Sequence, residues 1–191
     1  VLLTGSCFSD NMGTCLRNAM VDAVVNPFGT TYNPLSLLEC VGWLIENRQI
    51  THSELFEANG VWNHFMFHSR FSGTEPGETT AAMNISIEHG HRQLSRCSHI
   101  FVTLGTSFVY RLNDNGQVVN NCHKLPAGRF KRSLCSMDEI TAALDTMATR
   151  VHDFNPAAHI IFTVSPIRHL ADGLAMNHLS KSLLTVAAHH T

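Results

Sequence analysis

A chain of 191 residues, 44% hydrophobic and 15% charged, is long enough to close a full core as one soluble domain, and a net charge of −2 supplies neither a basic stripe for nucleic acid nor an acidic tail. Its longest apolar runs, such as Ile100-Phe101-Val102 and Ile160-Ile161-Phe162, fall far short of a bilayer span. Six cysteines without a CxxC pair exclude the usual zinc spacing; free thiols in a reducing cytosol are expected, with disulfides the alternative, so the expected location is cytoplasmic. The 13 histidines include no HExxH and no two-His-one-carboxylate pattern, so no metal is expected.

Residues 1–4 form a short apolar strand that runs into Gly5-Ser6 and then into a helix-like segment. A glycine there lets the chain turn sharply, a serine at such a turn presents a hydroxyl for attack, and the amides that follow can point at an oxyanion. The competing reading is a buried serine in a tight turn. Ser9, Asp10 or Asn11 is expected to cap a helix reaching about Val21, with Met12, Leu16, Ala19 and Met20 at helical spacing. Val24-Val25 reads as a second strand, broken by Asn26-Pro27-Phe28-Gly29. Asn33 then caps a second helix, with Pro34 as its first residue.

Residues 61–68 partly alternate and read as a strand or an extended loop, and residues 69–77 as a loop. Thr79-Thr80 is expected to cap a third helix over residues 81–95, with Met83, Ile87 and Leu94 inward. Residues 99–104 are continuously apolar, as a central parallel strand is. Residues 108–112 and 117–119 flank Asn113-Asp114-Asn115-Gly116, a hairpin signal. Residues 122–132 read as a polar loop whose Arg129, Lys131 and Arg132 are solvated. Residues 138–154 have helical period, residues 158–164 form another buried strand, and residues 176–190 an unfinished helix. Strand and helix alternate, which predicts a parallel α/β sheet with a small inserted hairpin. The expectation is one domain over residues 1–191, clipped at both ends.

The unusual residues fall at strand ends: Gly5-Ser6, Asn26 to Thr30, Gly105-Thr106-Ser107, and Ser165 to His169. In a parallel sheet those ends share one edge, where ligands bind. A serine esterase needs a nucleophile, a base, a group that orients the base, and oxyanion donors. Ser6 supplies the first; its own amide, the Gly29 amide and a polar group at Ser107 are candidates for the last. Cys7 is no rival nucleophile without a nearby base.

Leu3-Thr4-Gly5-Ser6-Cys7-Phe8-Ser9 resembles the motif that names the GSCFA family, and Asn26 to Pro34 resembles its second hallmark. Trp62-Asn63-His64-Phe65, His68 to Gly73, Leu104 to Ser107, Val119 to Lys124 and Ser165 to His169 are similar in kind. That family is similar to the SGNH hydrolases. The resemblance implies an α/β, three-layer, flavodoxin-like fold, Ser6 as catalytic serine and Gly29 as oxyanion glycine. Gly105 fits the third SGNH block, but Ser107 stands where that block has Asn. The Asp-x-x-His of those hydrolases is absent from residues 1–191, so the base is expected downstream, or else is an internal histidine: His169 first, then His64, His68 and His123. Asn33, His64, His68 and His123 are also candidate substrate-lining residues. The implied function is cleavage of an ester, with the acyl group on a sugar or lipid, through an acyl-enzyme on Ser6 and without metal or organic cofactor. The alternative is a non-catalytic binding module on the same fold. The implied partner is a small-molecule ester or acylated glycan, with no nucleic acid and no membrane span.

Overall fold

The structure, a computed structural model, describes residues 1–168 and 171–191. Four parallel strands form its main sheet: β1 (Leu2–Gly5), β2 (Val24–Val25), β5 (His99–Leu104) and β9 (His159–Val164), in the order β2-β1-β5-β9. Between them run the helices α1 (Cys7–Asn18), α2 (Pro34–Glu46), α3 (Pro76–Arg96) and α4 (Met137–Phe154), and α5 (Gly173–His190) follows β9. This is the mixed α/β architecture, with helices on both faces of a parallel sheet, that the alternation predicts.

Register explains why the strands read as continuous apolar runs. Leu2 pairs with Val24 on one side and Ile100 on the other, and Ile100 pairs with Ile160. That row, with Val102 and Leu104, faces a core shared with Leu37 and Leu44 of α2, Ile87 and Leu94 of α3, Leu144 and Met147 of α4, and Leu184 of α5. The opposite row carries Leu3, Val25 and Phe101, and α1 packs there through Gly13, where an added Cβ would lie 2.2 Å from Val25 Cγ2. Both faces of the inner strands are therefore covered.

Several boundaries differ from expectation for local reasons. The cap of α1 is Ser6 itself, not Ser9, Asp10 or Asn11, and the helix ends at Asn18. α3 begins at Pro76, five residues early, because proline is preorganised for a first turn; Thr79 and Thr80 lie inside the helix with their hydroxyls bonded back to Glu75 O and to Pro76 O and Gly77 O. A hairpin of β3 (Phe56–Ala58) and β4 (Val61–Asn63) turns on Asn59-Gly60, both at positive φ, and Phe56 stacks on Phe65 at 4.2 Å. The expected later hairpin, β6 (Phe108–Leu112) with β7 (Val118–Val119), gains a third strand, β8 (Phe130–Leu134), drawn from the segment read as a loop.

All six cysteines are free thiols. Among the described residues no helix is long and apolar enough to cross a membrane.

Candidate functional site

Gly5 ends β1 at φ +136°, and a Cβ there would lie 2.2 Å from the Thr103 carbonyl oxygen. No larger residue could keep this backbone so close to β5. The Gly5 amide donates to Asn26 Oδ1 at 2.8 Å, and the Ser6 amide to Thr103 O at 3.1 Å. Ser6 is thereby held at the first turn of α1, where its Oγ accepts from the Phe8 amide at 3.3 Å. Negative charge developing on that oxygen would face the positive end of the α1 dipole. Ser6 is 0% exposed.

Residues 26–33 form a strap across the carboxyl ends of the strands. Asn26 N donates to Leu3 O and Thr31 N to Gly5 O, each at 2.8 Å; the Gly105 and Thr106 amides both donate to Tyr32 O, at 2.7 and 3.0 Å. Ser165 N donates to Leu104 O at 2.8 Å. The expected gathering of strand ends is thus present, and one strap ties Gly5-Ser6 to Gly105-Thr106.

The amides named as oxyanion donors are nevertheless occupied. Gly29, at φ +80° and placed so that an added Cβ would lie 2.1 Å from His68 Cβ, donates its amide to Asn26 O at 2.8 Å and so closes the turn. Ser107 is fully buried; its amide donates to Ser180 Oγ at 2.8 Å and its hydroxyl to Ser180 O at 2.7 Å. Ser107 therefore binds α5 to the sheet edge. Asn33 accepts from Ser36 N at 2.8 Å and donates to Ser36 Oγ at 3.0 Å, the cap expected of it.

The histidines are engaged with neighbouring backbone. Burial holds His64 neutral and pushes its pKa down to about 4, and its Nδ1 accepts from Met66 N at 3.0 Å. His68 Nδ1 accepts from Arg70 N at 3.2 Å. His123, also lowered by burial, sets its Nε2 3.0 Å from His64 O. Among the described residues no histidine hydrogen-bonds Ser6; His169, the first internal candidate, lies outside the described residues.

Two features escaped the sequence reading. Lys181 of α5 donates to Gly105 O at 2.6 Å and Ser165 O at 2.7 Å, bridging the ends of β5 and β9. Half-burial lowers its pKa, against a raising influence from the nearby Cys7. Its signal was one lysine in the otherwise uncharged run from Leu174 to Ala188. The other is a cavity of about 310 Å³ beside the strap, between Tyr32 and the β6–β8 sheet. Arg132, exposed as expected, also borders this cavity, with its guanidinium 3.8 Å from the Phe108 ring centroid and paired with both carboxylate oxygens of Asp172 at 2.5 and 2.6 Å.

Fold and geometry define an α/β protein with a candidate site at the carboxyl edge of a parallel sheet. The GSCFA family model matches residues 1–191, the whole chain, and the protein belongs to that family. No curated protein and no solved structure matches it.

Proposed function

We propose that the protein is a serine hydrolase of the SGNH type, cleaving an ester through an acyl-enzyme on Ser6. The observation that carries this reading is the turn from β1 to α1. A glycine that tolerates no side chain delivers one hydroxyl to a helix N-terminus, at the sheet edge where α/β proteins bind ligands. The Ser6 Oγ would attack the acyl carbon and expel the alcohol, and water would then release the acid. Gly29, within the strap, and Gly105, bonded to it through Tyr32 O, are the glycines proposed for the oxyanion. The base is a histidine outside those described near the strap.

A second reading, a binding module without catalysis, is favoured by the complete burial of Ser6 and by the bonds that occupy Ser107. Turnover of p-nitrophenyl acetate and labelling by a fluorophosphonate, on wild type beside Ser6→Ala, separate the two. The hydrolase reading expects both in wild type and neither in the variant. Equal rates in the two proteins, or no labelling of either, would reject it in favour of the module.

A further inference from the structure

Asn26 is fully buried and sits at φ +47°, a left-handed conformation that asparagine adopts more readily than most residues. Its backbone serves the strap. The amide donates to Leu3 O, and the carbonyl accepts from Gly29 N and from the Arg70 guanidinium. None of these bonds involves the carboxamide. That group reaches the other way, into the turn from β1 to α1. Its Oδ1 accepts from the Gly5 amide at 2.8 Å, and its Nδ2 donates to Asp10 Oδ1, in the first turn of α1, at 2.9 Å.

The direction of this row of three groups is fixed by its ends. An ionised Asp10 can only accept, and the Gly5 N–H can only donate. A flipped carboxamide would set its N–H groups against the Gly5 N–H and its oxygen against the carboxylate. Both bonds would be lost, and the buried Gly5 amide would be left without an acceptor. Asp10 therefore decides which end of Asn26 faces Gly5, much as the aspartate of a hydrolytic triad decides which nitrogen of its histidine faces the serine.

The group so oriented is the residue that precedes Ser6. Gly5 has no side chain to restrict its torsion angles, so hydrogen bonds must set the direction in which the chain leaves β1. Three do so: Asn26 Oδ1 on Gly5 N, Thr31 N on Gly5 O, and Thr103 O on Ser6 N. Only the first comes from a side chain.

We propose that Asp10 and Asn26 are positioning residues for Ser6. The carboxylate orients the carboxamide, the carboxamide holds Gly5, and the Ser6 hydroxyl is thereby kept in the direction from which it attacks. That this direction serves attack rests on the hydrolase reading above; the hold of the pair on the turn does not.

The test exchanges the two side chains. Asn26→Asp keeps the shape and the acceptor for Gly5 but brings two carboxylates into contact. Adding Asp10→Asn to it restores the bond with its direction reversed. Wild type and variants are compared by p-nitrophenyl acetate turnover, fluorophosphonate labelling, thermal unfolding and the NMR shifts of the Gly5 and Ser6 amides. Well below its Tm, Asn26→Asp is expected to lose about tenfold to a hundredfold in kcat and labelling rate, the cost of a slightly misplaced reacting group, with KM little changed. The double variant is expected to recover most of both and to bring the two amide shifts back towards wild type. Asp10→Ala, at a half-buried position, keeps the test available if Asn26→Asp does not fold: it removes only the orienting carboxylate and is expected to lower kcat, with Asp10→Asn, which retains an acceptor, losing less. Wild-type kcat in Asn26→Asp or Asp10→Ala, a folded double variant no faster than Asn26→Asp, or a loss that only follows the unfolded fraction would overturn the proposal. Wild type that neither turns over nor labels would reject the hydrolase reading instead. The Gly5 and Ser6 shifts then decide the hold on the turn: moved in Asn26→Asp and restored in the double variant they support it, and unmoved they refute it.

Discussion

Replacing Gly5 by alanine tests whether the site is built on a close backbone approach. At φ +136° an alanine pays a conformational cost of about 2 kcal/mol, within the range for strained backbone. Its Cβ would also stand 2.2 Å from Thr103 O, a backbone atom of a central strand that cannot swing aside. Relief requires β1 to part from β5, loosening the Ser6 N–Thr103 O and Gly5 N–Asn26 Oδ1 bonds of 3.1 and 2.8 Å, worth about 1 kcal/mol each. The total is about 4 kcal/mol, a large share of the roughly 5–15 kcal/mol that holds a domain folded. For this chain length it lowers Tm by about 8–16 °C. Gly60→Ala is the control. Gly60 also has positive φ, +76°, but nothing lies within 4 Å of its added Cβ, so the variant costs only about 1 kcal/mol. Urea unfolding of both proteins gives the comparison. Equal destabilisation would refute the argument, since Gly60 lacks the approach to Thr103 and the bonds that depend on it.

Titration of His64 links stability to pH. Its folded pKa of about 4 lies below the ordinary 6.5, so the unfolded chain binds the extra proton between those values. The contribution of His64 is fully present above about pH 6.5 and is lost as pH falls towards 4, by about 3 kcal/mol. His64→Leu should flatten urea-derived stability over that window; an unchanged slope would show that another group is responsible. Ser107→Ala leaves the Ser180 carbonyl without its 2.7 Å donor and should cost about 2 kcal/mol, with amide exchange in α5 speeding up more than in α4. A neutral result by urea unfolding would mean that α5 is held by other contacts. Ser6→Ala removes the α1 cap and should cost about 1 kcal/mol in the same assay, leaving a folded protein for the activity comparison. A loss several times larger would place Ser6 in packing instead of capping.

The parallel sheet was readable because burial on both faces imposes a continuous apolar run on residues 99–104; residues 158–164 carry a similar run, but β9 ends the sheet and its residues are half-buried or exposed, which corrects the expectation of a buried strand there. Asn33-Pro34 announced α2 because a cap followed by proline has few other uses. β8 was hidden for the converse reason. It is a sheet-edge strand with Lys131 and Arg132 exposed, so its sequence Phe-Lys-Arg-Ser-Leu looks like loop until Phe130 and Leu134 are seen opposite Leu112 and Phe108. At the site, placement at strand ends together with the family resemblance singled out Gly5, Gly29 and Gly105. Neither could reveal the partner of Ser107, because Ser180 is 73 residues away in a helix of weak amphipathicity. The pairing of Arg132 with Asp172, 40 residues apart, was out of reach for the same reason.

The occupied donors bear on how an ester would react here. The amides of Ser6, Gly29, Gly105 and Ser107 each donate to an oxygen of the protein: Thr103 O, Asn26 O, Tyr32 O and Ser180 Oγ. A tetrahedral oxyanion would gain one of them only by exchange. Each existing bond is neutral and contributes about 1 kcal/mol net, whereas a bond to a full negative charge contributes about 1.5–3 kcal/mol. Exchange at one amide is therefore favourable once the charge has formed and unfavourable before it. That difference favours the transition state over the bound ester, the condition for raising a rate and not merely an affinity. The same arithmetic sets a requirement on the strap. Gly29 can change partners only if the turn closed by its bond to Asn26 O relaxes, and that turn is also tied to β1 through Asn26 N and Leu3 O. Movement of residues 26–33 is thus the step that would release a donor, and it works against the bonds that tie the strap to Leu3, Gly5 and Gly105.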